Sequence, residues 1–277
     1  MHEQAHESLA SLMAGPPAPS WLIAMAAVML ALATALLGAA LLWRRMAYLG
    51  DALAHAAMFG VAVALVAHLP VFLGVLVVAL MVAGAVVVMS RRGTLAHDAL
   101  LGTFAHGLLA AGLALTFLAL GRSVDLHEVL FGDVVTMTRT EALMILVGAS
   151  VIVLFAWRYW DVLVLAAVSE DLALAEGQPA RRVQLLLVLA AALLLALAAR
   201  ATGLLLFTAL LVLPVAAARA VARSPEGMAL LGAAIGVMAV MGGLALAHAL
   251  GIPSGPLMVT IALVIFVVLH ALDHLRA

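Results

Sequence analysis

Nine long apolar stretches dominate this sequence and restrict the folds open to it. They lie at residues 22–42, 46–68, 71–90, 99–120, 141–156, 183–199, 203–221, 228–250 and 257–272. A helix of about 20 apolar residues crosses the roughly 30 Å hydrocarbon core of a bilayer. Apolar residues do not alternate with period two, and the stretches are too long for barrel strands, so we predict helices. The expected fold is an all-α polytopic membrane protein.

The predicted count is nine transmembrane helices in one membrane domain over residues 21–277, with eight or ten as alternatives. The stretch 141–156 is short for a span, and 121–140 is long enough for a re-entrant or surface helix. Residues 1–20 are polar and then rich in proline. They lack the positive start and the cleavage site of a signal peptide, so we expect a retained extracytoplasmic extension.

Composition agrees with a membrane protein and excludes other classes. Hydrophobic residues make up 68% of the chain and charged residues 10%, whereas a soluble domain has about 45–50% and about 25%. The net charge of −1 provides no basic field for nucleic acid. The absence of cysteine excludes disulfides and thiolate metal sites. A soluble enzyme and a nucleic-acid-binding protein are therefore both excluded.

The arginines predict the orientation in the membrane, because basic residues concentrate in cytoplasmic connections. If the connection at 44–45 is cytoplasmic, ten arginines share its side: Arg44, Arg45, Arg91, Arg92, Arg158, Arg181, Arg182, Arg219, Arg223 and Arg276. Three lie on the other side: Arg122, Arg139 and Arg200. The N-terminus is therefore expected outside and the C-terminus in the cytoplasm.

Three polar residues within the predicted spans suggest a metal site. Asp51 and His55 are four residues apart and share one helical face. With the helix starting at Arg45, His55 lies about 15 Å deep, and His106 lies about 12 Å beyond Asp98 on the fourth span. Imidazole and carboxylate are suitable ligands for zinc or manganese. The alternatives are hydrogen bonds that position the helices and a proton relay.

A second metal-like pattern occurs at the N-terminus. Residues His2–His6 read HEQAH, which matches the zinc-protease pattern H-E-x-x-H. A protease site needs this pattern on a buried helix, with a third ligand and a shaped cavity. The pattern here lies in the polar extension beside prolines, so no catalytic role is predicted for it.

The connection at about 157–182 differs from the other predicted cytoplasmic connections. Ser169 followed by Glu170 and Asp171 is typical of a helix start, and Gly177 is typical of a helix end. Between them, a short apolar face is predicted from Leu172, Leu174 and Ala175. A helix that lies on lipid headgroups usually has a basic polar face, whereas this one is acidic. We therefore expect the segment to contact a protein partner.

Taken in order, these segments resemble the permeases of zinc and manganese ABC transporters. The strongest motif, at 43–65, reads WRRMAYLGDALAHAAMFGVAVAL. It is followed by LLGTFAHGLL at 100–109, VLFGDVV at 129–135, SEDLALAEG at 169–177, GLLLFTALLVLPVAAAR at 203–219 and RSPEGMA at 223–229. The resemblance covers nearly the whole chain after residue 20. One departure is Ile252, where the family often has an aspartate.

The resemblance implies partners and roles. It implies a homodimer in the bacterial inner membrane, two cytoplasmic subunits that bind ATP, and an extracytoplasmic metal-binding protein that delivers the ion. It places Asp51 and His55 on the ion path and matches His106 to a histidine of the fourth helix. Residues 169–177 correspond to the element that contacts the ATPase: Ser169, Glu170, Asp171, Leu172, Ala175, Glu176 and Gly177.

The resulting expectation is a non-enzymatic permease subunit that holds no cofactor and carries zinc as its cargo. Manganese or iron is the alternative within the same family. From another class, the alternative is a proton-coupled secondary metal transporter, which predicts inverted repeats and broken helices at the midplane. No internal repeat is evident in the sequence. An intramembrane metalloprotease would rest on His2–His6 alone.

Overall fold

The computed structural model describes residues 18–91, 97–120, 132, 134 and 137–275. Within these ranges the chain forms the following helices: α1 (Ser20–Trp43), α2 (Leu49–Val66), α3 (Val71–Arg91), α4 (His97–Leu120), α5 (Arg139–Arg158), α6 (Trp160–Val168), α7 (Glu170–Ala175), α8 (Ala180–Thr202), α9 (Leu204–Arg219), α10 (Pro225–Leu250) and α11 (Ser254–His274).

The all-α membrane fold predicted from the apolar stretches is confirmed. Eight of the described helices are long and apolar enough to cross a membrane, and the apolar helix α9 is shorter. Each of the nine predicted stretches coincides with one of these helices. The remaining two helices, α6 and α7, are short and divide the segment predicted at 157–182.

The helices form a central group and a peripheral group. Most residues of α1, α2 and α8 are buried, whereas less than a third of the spanning residues of α4, α5 and α11 are buried. α2 packs mainly against α3 and α4, and α1 packs mainly against α5 and α10. The exposed residues of the peripheral helices are largely apolar. Such a surface suits lipid or another membrane helix.

The bundle has two distinct ends. At one end, Trp43 contacts the ring of Trp160, Arg44 contacts Glu170, and Trp160 contacts Glu226. We call this the arginine end, because the chain there also includes Arg158, Arg181, Arg182, Arg219 and Arg223. At the opposite end, Ala18 donates to Met137, and Val134 donates to Ser254. The connections therefore separate into the two groups that alternating spans predict.

The turn between α1 and α2 has a defined hydrogen-bonding pattern. Met46 N–H donates to the carbonyl of Leu41, and Arg45 N–H donates to that of Leu42. This pattern is a Schellman motif, which places the residue after the cap in the left-handed region. Arg45 occupies that position with φ +57°. The next residue, Met46, is buried, so the turn is fixed both by backbone hydrogen bonds and by packing.

Glycines allow α2 to lie very close to its two neighbours. A Cβ added to Gly60 would lie 2.5 Å from the carbonyl oxygen of Gly74 on α3. A Cβ added to Gly112 of α4 would lie 2.7 Å from the backbone nitrogen of Phe59 on α2. Small residues at crossings let membrane helices gain van der Waals contact over their backbones. The position of α2 between α3 and α4 therefore depends on residues without side chains.

Candidate metal site and docking segment

α2 places Asp51 and His55 together on one face, as their spacing predicts. His55 Nδ1 lies 2.9 Å from the backbone carbonyl oxygen of Asp51 and 3.4 Å from its carboxylate Oδ2. A carbonyl oxygen only accepts hydrogen bonds, so Nδ1 of His55 carries the proton. In the neutral ring, Nε2 then has the free lone pair, which is the form in which histidine binds a metal. Metal-binding histidines commonly have their other ring nitrogen anchored in this way.

His106 on α4 approaches the same face. The ring centroids of His55 and His106 are 6.3 Å apart, with their planes inclined by 46°. A cavity of about 300 Å³ opens beside them. Its walls include Asp51 and His106, together with Tyr48, Ala52, Leu101, Gly102 and Ala105. The structure therefore brings together the three residues predicted as metal ligands, which we call the ion-site group.

The ion-site group is open and poor in ligands. The Asp51 side chain is 47% exposed, and the His55 side chain is 19% exposed. Among the described residues, no group of three or more histidine, cysteine, aspartate or glutamate side chains is arranged to hold a metal ion. Structural zinc sites are closed by four protein ligands. The residue types of this group suit a metal ion, but the described side chains do not form a ligand shell of the structural kind.

The depth predicted for His55 is wrong, because it was counted from Arg45 and the helix starts later. α2 begins at Leu49, because residues 44–48 form the turn described above. His55 therefore lies six residues after the start of α2, which corresponds to about 9 Å at 1.5 Å per residue. In a helix of 18 residues this is still close to the middle. The group lies in the half of the bundle nearer the arginine end.

Residues 169–177, which the resemblance matches to the ATPase contact and which we call the docking segment, form the predicted helix start and end. The Ser169 side chain accepts a hydrogen bond from Leu172 N–H at 3.2 Å and caps α7. Gly177 follows α7 with φ +74°, a conformation that favours glycine. Both predictions from the sequence are confirmed. α6, in contrast, was not predicted, because its apolar residues do not differ in pattern from those of a span.

The apolar residues predicted for α7 do not share one face, since Leu174 packs against the bundle and the other two do not. Ala173 is the buried residue of this helix, and it packs near Ala166 and Ala180. Leu172 is 46% exposed, and Ala175 is also exposed. A helix of six residues has less than two full turns, so periodicity alone does not determine which side faces the bundle. The surface of α7 that points away from the bundle contains Asp171, Leu172, Ala175 and Glu176, with Gly177 after it.

Glu170 ties the docking segment to two other helices. Its Oε2 lies 3.7 Å from Arg44 Nη2, and its Oε1 lies 3.7 Å from Arg181 Nε. Burial lowers the pKa of Arg44 below its ordinary value, and the charge of Glu170 opposes this shift. We call Arg44, Glu170 and Arg181 the end cluster. Sequence reasoning identified each of these residues but did not predict that they meet.

Beside the end cluster, aromatic residues link three helices. The rings of Trp43 and Trp160 meet edge to face with centroids 5.4 Å apart. Trp43 Nε1 donates to the sulfur of Met228 at 3.3 Å, and Trp160 Nε1 donates to Glu226 Oε1 at 3.4 Å. α1, α6 and α10 are thus connected at the arginine end.

Two predicted features lie outside the described residues. They are the His2–His6 pattern and most of the segment 121–140. The part of 121–140 that is described places Val134 and Met137 against the bundle, where both are buried.

Comparison with known proteins assigns the chain to a family. The model of the ABC 3 transport family matches residues 21–273. The zinc uptake membrane protein ZnuB of Haemophilus influenzae is 32% identical over 240 residues, covering 87% of this chain and 92% of that protein. The manganese transport membrane protein MntC of Halalkalibacterium halodurans is 27% identical, covering 87% of this chain and 82% of that protein.

A solved structure extends the comparison to the fold. PsaBC from Streptococcus pneumoniae, in complex with Fab, has a chain that superposes with a TM-score of 0.77 at 26% identity, covering 89% of both chains. The family match spans almost the whole membrane bundle, including the ion-site group and the docking segment. The chain therefore belongs to the ABC 3 transport family and is a membrane transport component, not an enzyme.

Proposed function

We propose that this chain is the permease subunit of an ATP-driven zinc importer. The observation that carries the proposal is the ion-site group inside an ABC-family bundle, in which Asp51 and His106 border an open cavity and His55 packs beside both. Imidazole and carboxylate favour zinc, and the ZnuB relative is named for zinc uptake. Manganese is the second candidate, because the same ligands bind it and another relative is named for manganese transport.

The openness of the ion-site group suits transport. An ion on a transport path must bind well enough to enter and weakly enough to leave. With one carboxylate and two imidazoles, the group supplies fewer ligands than a structural zinc site. Water, or a second copy of the chain in the homodimer, completes the shell. Nε2 of His55 offers the lone pair, and its Nδ1–H remains bonded to the Asp51 carbonyl oxygen.

The docking segment suits a cytoplasmic ATP-binding subunit. The outward surface of α7 is acidic and presents Leu172. Arginines are in excess at the same end of the bundle, which favours a cytoplasmic location for α7. An extracytoplasmic metal-binding protein then delivers the ion at the opposite end. ATP binding and hydrolysis in the partner subunit move α7, and the path opens alternately to the two sides.

Uptake of zinc into proteoliposomes tests the proposal. The vesicles contain the purified chain with an ATP-binding subunit and a metal-loaded binding protein, and they are measured with and without ATP. We expect ATP-dependent uptake that falls by about 100-fold in Asp51→Ala and His55→Ala, since each removes a metal ligand or its anchor. Thr103→Ala is the control, because this exposed residue of α4 bonds only to its own helix at Ala99.

The alternatives give different results in the same assay. Uptake that needs no ATP-binding subunit and no ATP would establish a secondary carrier and contradict the proposal. ATP-dependent uptake that is unaffected in both variants would retain the importer and exclude the ion-site group. Faster uptake of manganese than of zinc at equal concentration would show that manganese, and not zinc, is the transported ion.

A further inference from the structure

Arg44 is a buried cation at a place where an exposed one would suffice. Its side chain is 7% exposed, and its Nη1 is buried without a hydrogen-bond partner among the described residues. A basic residue at the end of a helix is favoured by the helix dipole, but that effect does not require burial. The neighbouring Arg45 is exposed. Burying a guanidinium opposes folding unless a carboxylate compensates, and here Glu170 is the carboxylate that faces it.

This ion pair connects the docking segment to the helix of the ion-site group. Glu170 is the first residue of α7, whose outer surface is free for a partner. Arg44 ends α1 and begins the Schellman turn that leads into α2. Only seven positions separate Arg44 from Asp51. Because Met46 is buried and the turn is hydrogen-bonded, a displacement of Arg44 is transmitted to the start of α2 and is not absorbed by a loose loop.

We propose that Arg44 is a positioning residue that transmits movement of the docking helix α7 to the ion-site helix α2 through its ion pair with Glu170. The inference rests on the proposed function, in which α7 contacts the ATP-binding subunit. The adjacent contact between Trp43 and Trp160 joins the same two parts of the chain, since Trp160 begins α6 and α6 leads directly to α7.

Arg181 provides a matched control for this role. It contacts the other oxygen of Glu170 at the same 3.7 Å, but its side chain is 64% exposed. Exposed ion pairs contribute little, because water solvates both partners and the side chains remain free to move. Arg181 also lies in the first turn of α8 and not in the connection to α2. The same charge is therefore present twice at Glu170, once in a buried link and once at the surface.

The test is the number of zinc ions taken up for each ATP hydrolysed, in proteoliposomes that contain the complete transporter. In Arg44→Gln we expect ATP hydrolysis to continue while this ratio falls by about fivefold or more, the range of an ordinary coupling between sites. In Arg181→Gln we expect the ratio to change by less than about twofold. An unchanged ratio in Arg44→Gln would overturn the inference.

A double variant separates coupling from stability. Glu170→Gln alone leaves Arg44 buried without its carboxylate, whereas Arg44→Gln combined with Glu170→Gln leaves no buried charge without its carboxylate, since Arg181 is exposed to water. We expect the double variant to recover thermal stability but not the transport ratio. Recovery of both thermal stability and the transport ratio would show that Arg44 and Glu170 only stabilise the fold, and it would overturn the inference. Absence of ATP-driven uptake in the unmodified chain, with zinc and with manganese, would instead overturn the proposed function, and this inference with it.

Discussion

The ion-site group and the end cluster lie at opposite sides of a short turn, and they differ in charge and in the exposure of the residues next to that turn. Asp51 in the ion-site group is 47% exposed and borders a cavity, whereas Arg44 in the end cluster is 7% exposed. Among the described residues, the ion-site group offers lone pairs without closing a metal shell. The end cluster is a carboxylate held between two guanidinium groups.

The difference shows how polar residues in an apolar bundle serve two purposes. An open group with unfilled coordination is suited to bind a cation and release it again. A buried charge pair loses solvation that it regains only while both partners stay together, so it is suited to fix one element against another. The following changes test whether the two groups are separate in this way.

The largest effect on zinc uptake is expected from a substitution that separates α4 from α2. In Gly112→Val the new side chain would collide with the backbone at Phe59, so α4 must move outward and carry His106 away from His55. We expect the zinc concentration for half-maximal uptake to rise by about 10–100-fold, as when a metal site loses its supporting contacts. Binding of the ATP-binding subunit should remain, because α7 packs mainly against α6 and α8 in the described part of the chain.

Gly107→Val is the control on the same helix, since a Cβ at Gly107 meets open space. An equal zinc dependence in the two valine variants would show that His106 is not part of the ion-site group.

An intermediate effect is expected from the helix caps at the arginine end. The Ser169 hydroxyl caps α7, and the Ser224 hydroxyl caps α10 by accepting from Gly227 N–H at 3.0 Å. Loss of either cap destabilises its helix by about 1 kcal/mol. Since α7 has only six residues, Ser169→Ala should fray the docking surface and weaken binding of the ATP-binding subunit by about fivefold.

Ser224→Ala should lower thermal stability by a similar amount and leave that binding unchanged, because α10 continues for 26 residues. Titration of the purified chain with the ATP-binding subunit measures both variants. Equal weakening by the two substitutions would place the docking surface beyond α7.

The smallest effect is expected at the turn that joins the two groups. Arg45 has φ +57°, where a β-branched residue is disfavoured and glycine is not. Arg45→Val should reduce the free energy of unfolding by only a fraction of the about 1–2 kcal/mol that a left-handed residue costs, because Arg45 already bears that cost, and Arg45→Gly should reduce it by less. Thermal denaturation in detergent compares the two variants. A valine variant as stable as the glycine variant would mean that the turn relaxes, which would weaken the proposed link between the end cluster and α2.

The fold was largely predictable because membrane helices follow from local composition. Each apolar stretch is long enough to cross a bilayer, and its backbone must satisfy its own hydrogen bonds there. The boundaries were less predictable. α2 was expected to start near Arg45 but begins at Leu49, because a Schellman turn needs a buried residue and hydrogen bonds that no composition window detects.

The candidate site was predictable only where local geometry decides it. Asp51 and His55 share a face because any helix places residues four apart together. His106 was proposed from its similar depth, and the structure brings it to 6.3 Å between ring centroids. The side of α7 that packs against the bundle was not predictable, since burial of Ala173 depends on contacts with Ala166 and Ala180 from neighbouring helices.

The sequence by itself determined that this chain crosses a membrane as a helical bundle, which residues pair within a helix, and which connections share one end. These properties depend on hydrophobicity, helical period and charge, all of which act over a few residues. Only the tertiary structure decided that Arg44 is buried against Glu170 and that His106 faces His55. Those contacts join residues 126 and 51 positions apart in the chain. They form only when helices cross at distances set by glycines and by packing, which no local pattern encodes.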